Sequence, residues 1–514
     1  MKVNLGNPIM RTPLSAMCLM ILLTSCSRGL SVNPGLAQSV SDSSGMTDSI
    51  VRSTSPRSPG SSTLDWSTSE LRSQDLTTAL PAISVDVLWD VIVGSTDHMS
   101  TKASSERNLY NDQGQTWYVP TNAIAGTAAL YRDYYSSAAF SDHMDDDQAT
   151  APPPYHVEEG LGNPYSTTLS GTRQIVRYYD SSDGDHATPG FTQSLPGYSP
   201  EPFPLAGYPR YNNQTTVLTS VSGGEVTAQV NSVAGASFWT WTWNGFQFLD
   251  HTDYGREMQS DLFWINPAGD VENPIEAGDS KGDQSGTVFA DWHGSPVASL
   301  VVSGTTVSTS TIPLEWDPYA TPGPTTGPGG IASPDDALLY STMRISKSVN
   351  LLYQQGVASY TTSFTLPNAL GSAIVEMPTA YLVGTLNQFY TFDAGTNTLT
   401  QIPLTCNGAF PPTHTSLGWA PPSGYGGVII SATGGADAMG AYSSTMAVGG
   451  PATGFGLYDF IGPCGPGGYD FNVSKWNINR QSSFSAGTSA FQTFVLTGTL
   501  QQVESGMRNL YHPI

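Results

Sequence analysis

The densest group of chemically capable side chains in this chain is Asp250-His251-Thr252-Asp253-Tyr254-Gly255-Arg256-Glu257-Met258-Gln259-Ser260. Only 12% of all residues are charged, yet carboxylates, an imidazole, a phenol and a guanidinium crowd together here. An arginine beside Asp or Glu either lowers their pKa or grips a substrate hydroxyl through its fork of donors. Further on stands Glu272-Asn273-Pro274-Ile275-Glu276-Ala277-Gly278-Asp279, with Asp283 just beyond. Two carboxylates whose surroundings separate their pKa values divide into acid and base, or acid and nucleophile. Glu276 is therefore the candidate acid/base, with Asp279 or Asp250 as partner and His251 beside them. Tyr254, Arg256 and Glu257 are candidates for orienting the substrate. If the reaction is glycoside cleavage, a separation of roughly 5 Å predicts retention and roughly 6.5–9.5 Å inversion.

The same acids allow other readings. Asp270, Glu272, Glu276, Asp279 and Asp283 form an oxygen-rich run able to wrap calcium, although the spacing is not that of an EF-hand, and a plain solvated acidic loop is equally open. Asp180-Ser181-Ser182-Asp183-Gly184-Asp185-His186 is a further oxygen-rich turn, read as a surface turn or a calcium loop, and Asp145-Asp146-Asp147 reads as solvated. Trp239, Trp241 and Trp243 alternate, so a strand would project all three to one face, as an aromatic core wall or as a platform for sugar rings. Trp292-His293 and Trp316-Asp317-Pro318-Tyr319 suit loops lining a cleft. No Gly-x-Ser-x-Gly elbow, His-Glu-x-x-His, phosphate-binding glycine loop with Lys or Cys-x-x-Cys pair occurs, which argues against serine-hydrolase, zinc-protease, nucleotide-dependent and thiol-redox chemistry.

Elements that would hold these residues follow from composition. With 39% hydrophobic and 10% aromatic residues the 514-residue chain has ample core material, and its 53 glycines and 37 prolines favour turns and short strands over long helices. Asn244-Gly245 between Phe238–Trp243 and Phe246–Leu249 is a strong hairpin signal, because both residues tolerate the positive φ of a type I′ turn. Ser222-Gly223-Gly224 marks another hairpin, and alternating runs continue to Val503. No fixed-period repeat is evident, which disfavours propellers and solenoids. The expected fold is mostly β: a large antiparallel β-sandwich with long loops. Residues 79–211 read as a loop-rich β region and residues 212–514 as the sandwich domain.

The chain begins as an export signal. Lys2 and Arg11 precede the short apolar run Leu19-Met20-Ile21-Leu22, and Leu23-Thr24-Ser25-Cys26 has the form of a bacterial lipoprotein cleavage site. Residues 1–25 would be removed and Cys26 would carry lipid, so the expected location is the bacterial cell envelope, with membrane contact through the lipid alone. Residues 26–78, rich in Ser, Thr, Pro and Gly, read as a disordered tether. Cys406 and Cys464 remain as a natural disulfide pair in an oxidising compartment, closing a loop of about 60 residues. The formal charge of −23 becomes −25 once Lys2 and Arg11 are lost, which excludes nucleic acid as an easy partner and weakens an acidic polysaccharide. Neutral glycans remain open.

Residues 234–249, from Ala234-Gly235-Ala236-Ser237 through the Trp run to Phe248-Leu249, are similar to the early hairpin of galactose-mutarotase-like proteins. The resemblance covers well under one tenth of the chain. It implies a β-supersandwich, a fold shared by sugar epimerases, polysaccharide lyases and domains of glycoside hydrolases, with the sugar on the concave sheet face. No catalytic residue carries over from it. Taken together, the sequence points to an exported, lipid-anchored protein that binds carbohydrate and processes it, with hydrolysis ahead of elimination or epimerisation and no cofactor apart from calcium. The alternative is a non-catalytic glycan-binding or structural envelope lipoprotein.

Overall fold

The structure is a computed structural model; it describes residues 80–94, 97–103, 106, 109–137, 141–169, 172–189, 195–201, 203–209, 218–250, 257–266, 271–279, 293–316, 336–403, 415–443, 453–462 and 472–511. The signal segment, Cys26, the tether, Cys406 and Cys464 lie outside the described residues. The architecture is mostly β, as composition predicts, and every strand pairing is antiparallel.

Two large sheets face each other. One runs through Leu218–Gly223, Val226–Asn231, Ser237–Trp243, Met258–Ile265, Leu370–Val383, Val473–Phe484, Thr453–Asp459 and Thr415–Trp419. The other has nine strands, with Arg344–Gln354, Val357–Leu366, Gly487–Gly498 and Ala438–Ser443 at its centre. Alternation drives the packing. In Val357–Leu366, Ala358, Tyr360, Thr362, Phe364 and Leu366 are buried, while Ser359, Thr361, Ser363 and Thr365 are half-buried on the other face. Phe238, Trp241, Trp264, Val375 and Trp476 from the first sheet meet Ile345, Val349, Tyr360, Phe364 and Val495 from the second in one continuous core. Beyond the nine-stranded sheet the helix Leu500–Asn509 packs Val503 and Met507 on Ile429, Tyr442 and Phe494.

Asn244 and Gly245 turn the Trp hairpin with φ of 48° and 84°, the expected conformation. The Trp trio, however, does not share a face. The register against Val226–Asn231 slips between Gln229 and Val230, a β-bulge that sends Phe238 inward and Trp239 out of phase. Trp241 and Trp243 line the main core, whereas Trp239 packs with Trp316 on Val233, Ala234, Ile275 and Ala277.

Residues 83–201 are more regular than the expected loops. A central strand pairs with a strand on either side three times over. Ile83–Val93 lies between Asp97–Thr101 and Asn111–Pro120; Leu130–Ser136 between Ser141–Asp146 and His156–Gly162; Arg177–Asp180 between Asp185–Ala187 and Ser199–Glu201. The second strands of the three units touch one another around a pseudo-threefold axis. Each carries the same dipeptide, Asp97-His98, Asp142-His143 and Asp185-His186, spaced 45 and 43 residues apart. This is a repeat, where none was expected. The three Asp carboxylates link the units head to tail. His143 N donates to Asp97 (3.1 Å), His186 N to Asp142 (2.8 Å) and His98 N to Asp185 (3.0 Å). Arg132 and Arg177 repeat the pattern one layer away, each donating to a backbone carbonyl of the preceding unit and to a glutamate of its own.

Two acidic segments here depart in part from expectation. Ser181, Ser182 and Asp183 form an exposed turn, as expected, but Asp185 and His186 at its end are buried, and Asp145 and Asp146 are buried, not solvated. Asp133, wholly buried with neither carboxyl oxygen hydrogen-bonded among the described residues, is pushed up to about 6 by burial and by Asp146 and Asp145. Burial likewise pushes Asp185 up to about 7, against its hydrogen bonds from Tyr198 and His98. A folded state that holds these protons longer than the unfolded chain loses stability as pH rises from about 4 through 7. The raised His98 extends the same trend above its ordinary value; burial opposes its charge, but Asp90 outweighs it. The melting midpoint is therefore expected to fall between pH 5 and pH 8. Asp133→Asn, neutral at every pH, should raise the midpoint more at pH 8 than at pH 5, as scanning calorimetry would show. An equal shift at both values would remove Asp133 from the explanation.

Candidate functional site

Glu276 is not in a cleft. Its side chain and that of Lys347 are each 0% exposed, and Lys347 Nζ lies 2.9 Å from Glu276 Oε1. Lys347 alternates with Ile345 and Val349 on the inward face of its strand, so it reaches across the sandwich and sits 5.4 Å above the Phe238 ring. The backbone N–H of Ser260 donates to Glu276 Oε2 at 2.8 Å. Gly235 leaves room for this turn: its φ is 56°, and a Cβ there would lie 1.7 Å from the Glu276 carbonyl oxygen. Burial pushes the Glu276 carboxyl up, against Lys347 and the Ser260 amide. Glu276 is thus an ion-pair partner in the core, which corrects the sequence expectation of a catalytic acid.

The other sequence candidates disperse. Glu257 is buried and accepts a hydrogen bond from Ser237 Oγ. Glu272 accepts from Asn266 and Tyr340. Glu272 and Glu276 therefore serve different partners, and the calcium run proposed for them does not form among the described residues; Asp270 and Asp283 lie outside these. Asp279 and His293 are opposite each other on two short paired strands. Trp316 is packed against an apolar cluster, not a cleft. His251, Tyr254, Arg256 and Trp292 lie outside the described residues. Asp250, buried, donates its amide to the Tyr381 carbonyl at 3.0 Å, which brings the polar segment's start to the strand Leu370–Val383.

That strand carries the site which sequence reasoning missed. On Met258–Ile265 the residues Met258, Leu262 and Trp264 enter the sandwich core. Asp261, out of phase with them, belongs to the opposite face, directly across from Glu376 on the neighbouring strand. The cross-strand row continues to Asn479 and Gly454. A second row places Tyr381, Lys475 and Tyr458 side by side, and a third pairs Thr379, Asn477 and Gly456. Three strands thus contribute polar residues and a fourth contributes glycines. At Gly456 a Cβ would lie 2.4 Å from Asn477 Oδ1, so only glycine leaves that amide in place.

The Asp261 and Glu376 carboxyls hydrogen-bond each other. Burial, then Glu376, drives Asp261 well above the usual carboxylate range, which favours its neutral form. Asn477 Nδ2 donates to Glu376 Oε1 at 2.5 Å, and Lys475 Nζ stands 3.5 Å from Oε2. Burial opposes the Lys475 charge, but Glu376, Tyr381 and Tyr458 outweigh it and raise the ammonium pKa. The ammonium lies 5.0 Å over the Tyr381 ring and 5.4 Å over Tyr458, and Phe460 stacks on both tyrosines. Asp261 retains 9% exposure and the Lys475 side chain 13%. Two oxygens of this face, Thr379 Oγ1 and Asn479 Oδ1, have no hydrogen-bond partner among the described residues, while Glu376 Oε2 has the Lys475 ammonium beside it. Native interiors rarely leave such groups unspent, so unspent ones mark where a polar ligand or water belongs.

A cation has one geometrically suitable place among the described residues. Asp97, Asp142 and Asp185 each bring a carboxylate oxygen within 4.8 Å of the others on the pseudo-threefold axis. Protein donors already meet these carboxylates: Ser141 Oγ for Asp97, Tyr155 for Asp142 and Tyr198 for Asp185, besides the histidine amides.

Comparison with known proteins finds no matching family model and no matching curated protein. Among solved structures, a putative aldose 1-epimerase from Escherichia coli K12 is similar, at 12% identity over 56% of this chain and 100% of its own, with a TM-score of 0.30. A galactose mutarotase related enzyme from Lactobacillus acidophilus shares 7% identity over 56% of this chain and 99% of its own, at 0.31. A 4-alpha-glucanotransferase from Thermococcus litoralis shares 10% over 55% of this chain and 38% of its own, at 0.24. These neighbours include the galactose-mutarotase-like proteins that the hairpin at residues 234–249 resembles.

Proposed function

We propose that this protein is an exported, lipid-anchored carbohydrate-processing protein of the bacterial envelope, and that its site is the polar sheet face around Asp261 and Glu376. The single observation that supports this most is a buried carboxyl, raised well above its usual range and hydrogen-bonded to a second carboxyl, beside two unspent buried oxygens, two tyrosine rings and an ammonium group. An acid and a base held side by side suit a reaction in which both act on oxygens of one carbon. At a sugar anomeric centre, Asp261 gives its proton to the ring oxygen while Glu376 takes the proton of the anomeric hydroxyl. The ring C–O bond breaks, the carbonyl forms, and reclosure on the other face returns both protons. Lys475 offsets the carboxylate charge, while Asn479 and Thr379 accept substrate hydroxyls.

Glycoside hydrolysis by flanking carboxylates fits this face less well. Both hydrolytic geometries need the carboxyls roughly 5 Å or more apart, with the bond or water between them. Carboxyls in contact leave no such space, so interconversion of sugar isomers stands ahead of the hydrolysis that the sequence favoured. The substrate is a neutral sugar, since the chain's net charge of −23 repels acidic ones. Freshly dissolved α-glucose and α-galactose, followed by proton NMR, test this: accelerated approach to the anomeric equilibrium supports the reading. Uncatalysed rates with every aldose in the panel, together with release of reducing ends from a neutral polysaccharide, would restore hydrolysis. Mass spectrometry of the membrane-extracted protein tests the anchor, which requires a lipid adduct on Cys26.

A further inference from the structure

At the end of the sandwich, away from the Asp261–Glu376 face, a cleft of about 370 Å³ opens between the hairpin tips and the C-terminal helix Leu500–Asn509. That volume lies within the range of small-molecule sites. Its helical wall includes Gln501, Ser505 and Asn509, four residues apart and all exposed, so their side chains stack along one face, with Gln502 and Gly506 beside them. The facing wall is Gln354, at the end of the strand Arg344–Gln354, Gln355 from the turn that follows it, and Glu225, from the turn after Leu218–Gly223. Trp243 Nε1 donates to Glu225 Oε2 at 2.9 Å, holding that carboxylate at the rim of the cleft.

The chemistry of these walls narrows the ligand. No Lys or Arg lines the cleft among the described residues, and Glu225 contributes a negative charge, so a phosphate or uronate is unwelcome. An apolar ligand would cover amides and hydroxyls without pairing them. Amide, hydroxyl and carboxylate groups facing each other across a narrow gap match a ligand whose every hydroxyl both donates and accepts. We infer that this cleft is a second binding site, for a neutral oligosaccharide, distinct from the carboxyl-pair face and independent of the reaction assigned to it. Such a site would hold a glycan chain against the protein while its end is presented elsewhere.

Hydrogen–deuterium exchange of the whole protein with maltohexaose, cellohexaose, xylohexaose and laminarihexaose, with hexagalacturonate as the anionic control, tests this. At least one neutral hexasaccharide is expected to protect residues 354–357 and 500–509 and to bind unchanged to Glu376→Gln. Gln501→Ala/Asn509→Ala and, separately, Glu225→Ala should weaken that binding about tenfold, since each removes hydrogen bonds to the ligand. These exposed positions leave the fold intact, which an unchanged melting midpoint verifies. The inference is overturned if no neutral hexasaccharide protects the cleft, if hexagalacturonate binds as well, or if binding is lost in Glu376→Gln and kept in the cleft variants. Because Glu376→Gln disables only the other face, failure of the cleft and failure of the proposed activity give separate results.

Discussion

Lys347→Met should destabilise the protein by about 3–5 kcal/mol, the usual loss when one member of a buried ion pair is removed and the other stays charged. The Glu276 carboxylate would keep its Ser260 amide but lose the only cation near it among the described residues, inside a core built from Phe238, Tyr360 and Val349. Two further results identify the cause. Glu276→Leu combined with Lys347→Met should recover most of the loss, because two apolar side chains of similar volume carry no desolvation penalty. The single variant should also lose less at pH 5 than at pH 8. Burial already pushes Glu276 up, and without Lys347 it would take a proton more readily, so the folded state sheds the unpaired charge as pH falls. Urea unfolding at the two pH values measures all of this. A single variant as stable as the parent would show that the pair does not hold the sheets together.

Glu376→Gln and Asp261→Asn should each lower the rate of sugar interconversion by about 10²- to 10⁴-fold, the usual share of one positioned acid or base. The double variant should be little slower than either single one, because the two carboxyls act as one unit. Stability separates the two positions. Burial and Glu376 already disfavour the charged form of Asp261, so its amide isostere should melt at or above the parent's temperature. Glu376→Gln leaves Lys475 without its nearest carboxylate and should melt lower. The parent's rate should fall on the alkaline side as Asp261 finally ionises, and Asp261→Asn should show no such limb. Loss of rate in neither variant would take the chemistry away from this face.

How much of this was legible in the chain depends on the range of the interactions involved. The Asn244-Gly245 turn, the alternation of Val357–Leu366 and the scarcity of helix follow from local rules, and the structure has all three. The faces of the Trp hairpin were not legible, because the bulge at Gln229 depends on how a neighbouring strand pairs. Glu276 drew attention as a carboxylate in a polar turn. Nothing nearby in sequence indicates Lys347, 71 residues on, which turns it into a core ion pair. The Asp-His dipeptides at 97, 142 and 185 were a signal that could have been found, since two of the three continue into Met.

The amino-acid sequence by itself determined that this chain would be built of antiparallel strands, because side-chain alternation and turn residues act within a few positions of one another. Only the tertiary structure decided which acids meet. Asp261, Glu376 and Lys475 lie on three different strands, and each alone reads as one more charged residue in a sheet. Strand pairing brings them into one low-dielectric patch, where burial and Glu376 raise the Asp261 carboxyl and the Lys475 ammonium stands beside Glu376. A carboxyl's pKa is set by what surrounds it in space, and those neighbours come from distant parts of the chain.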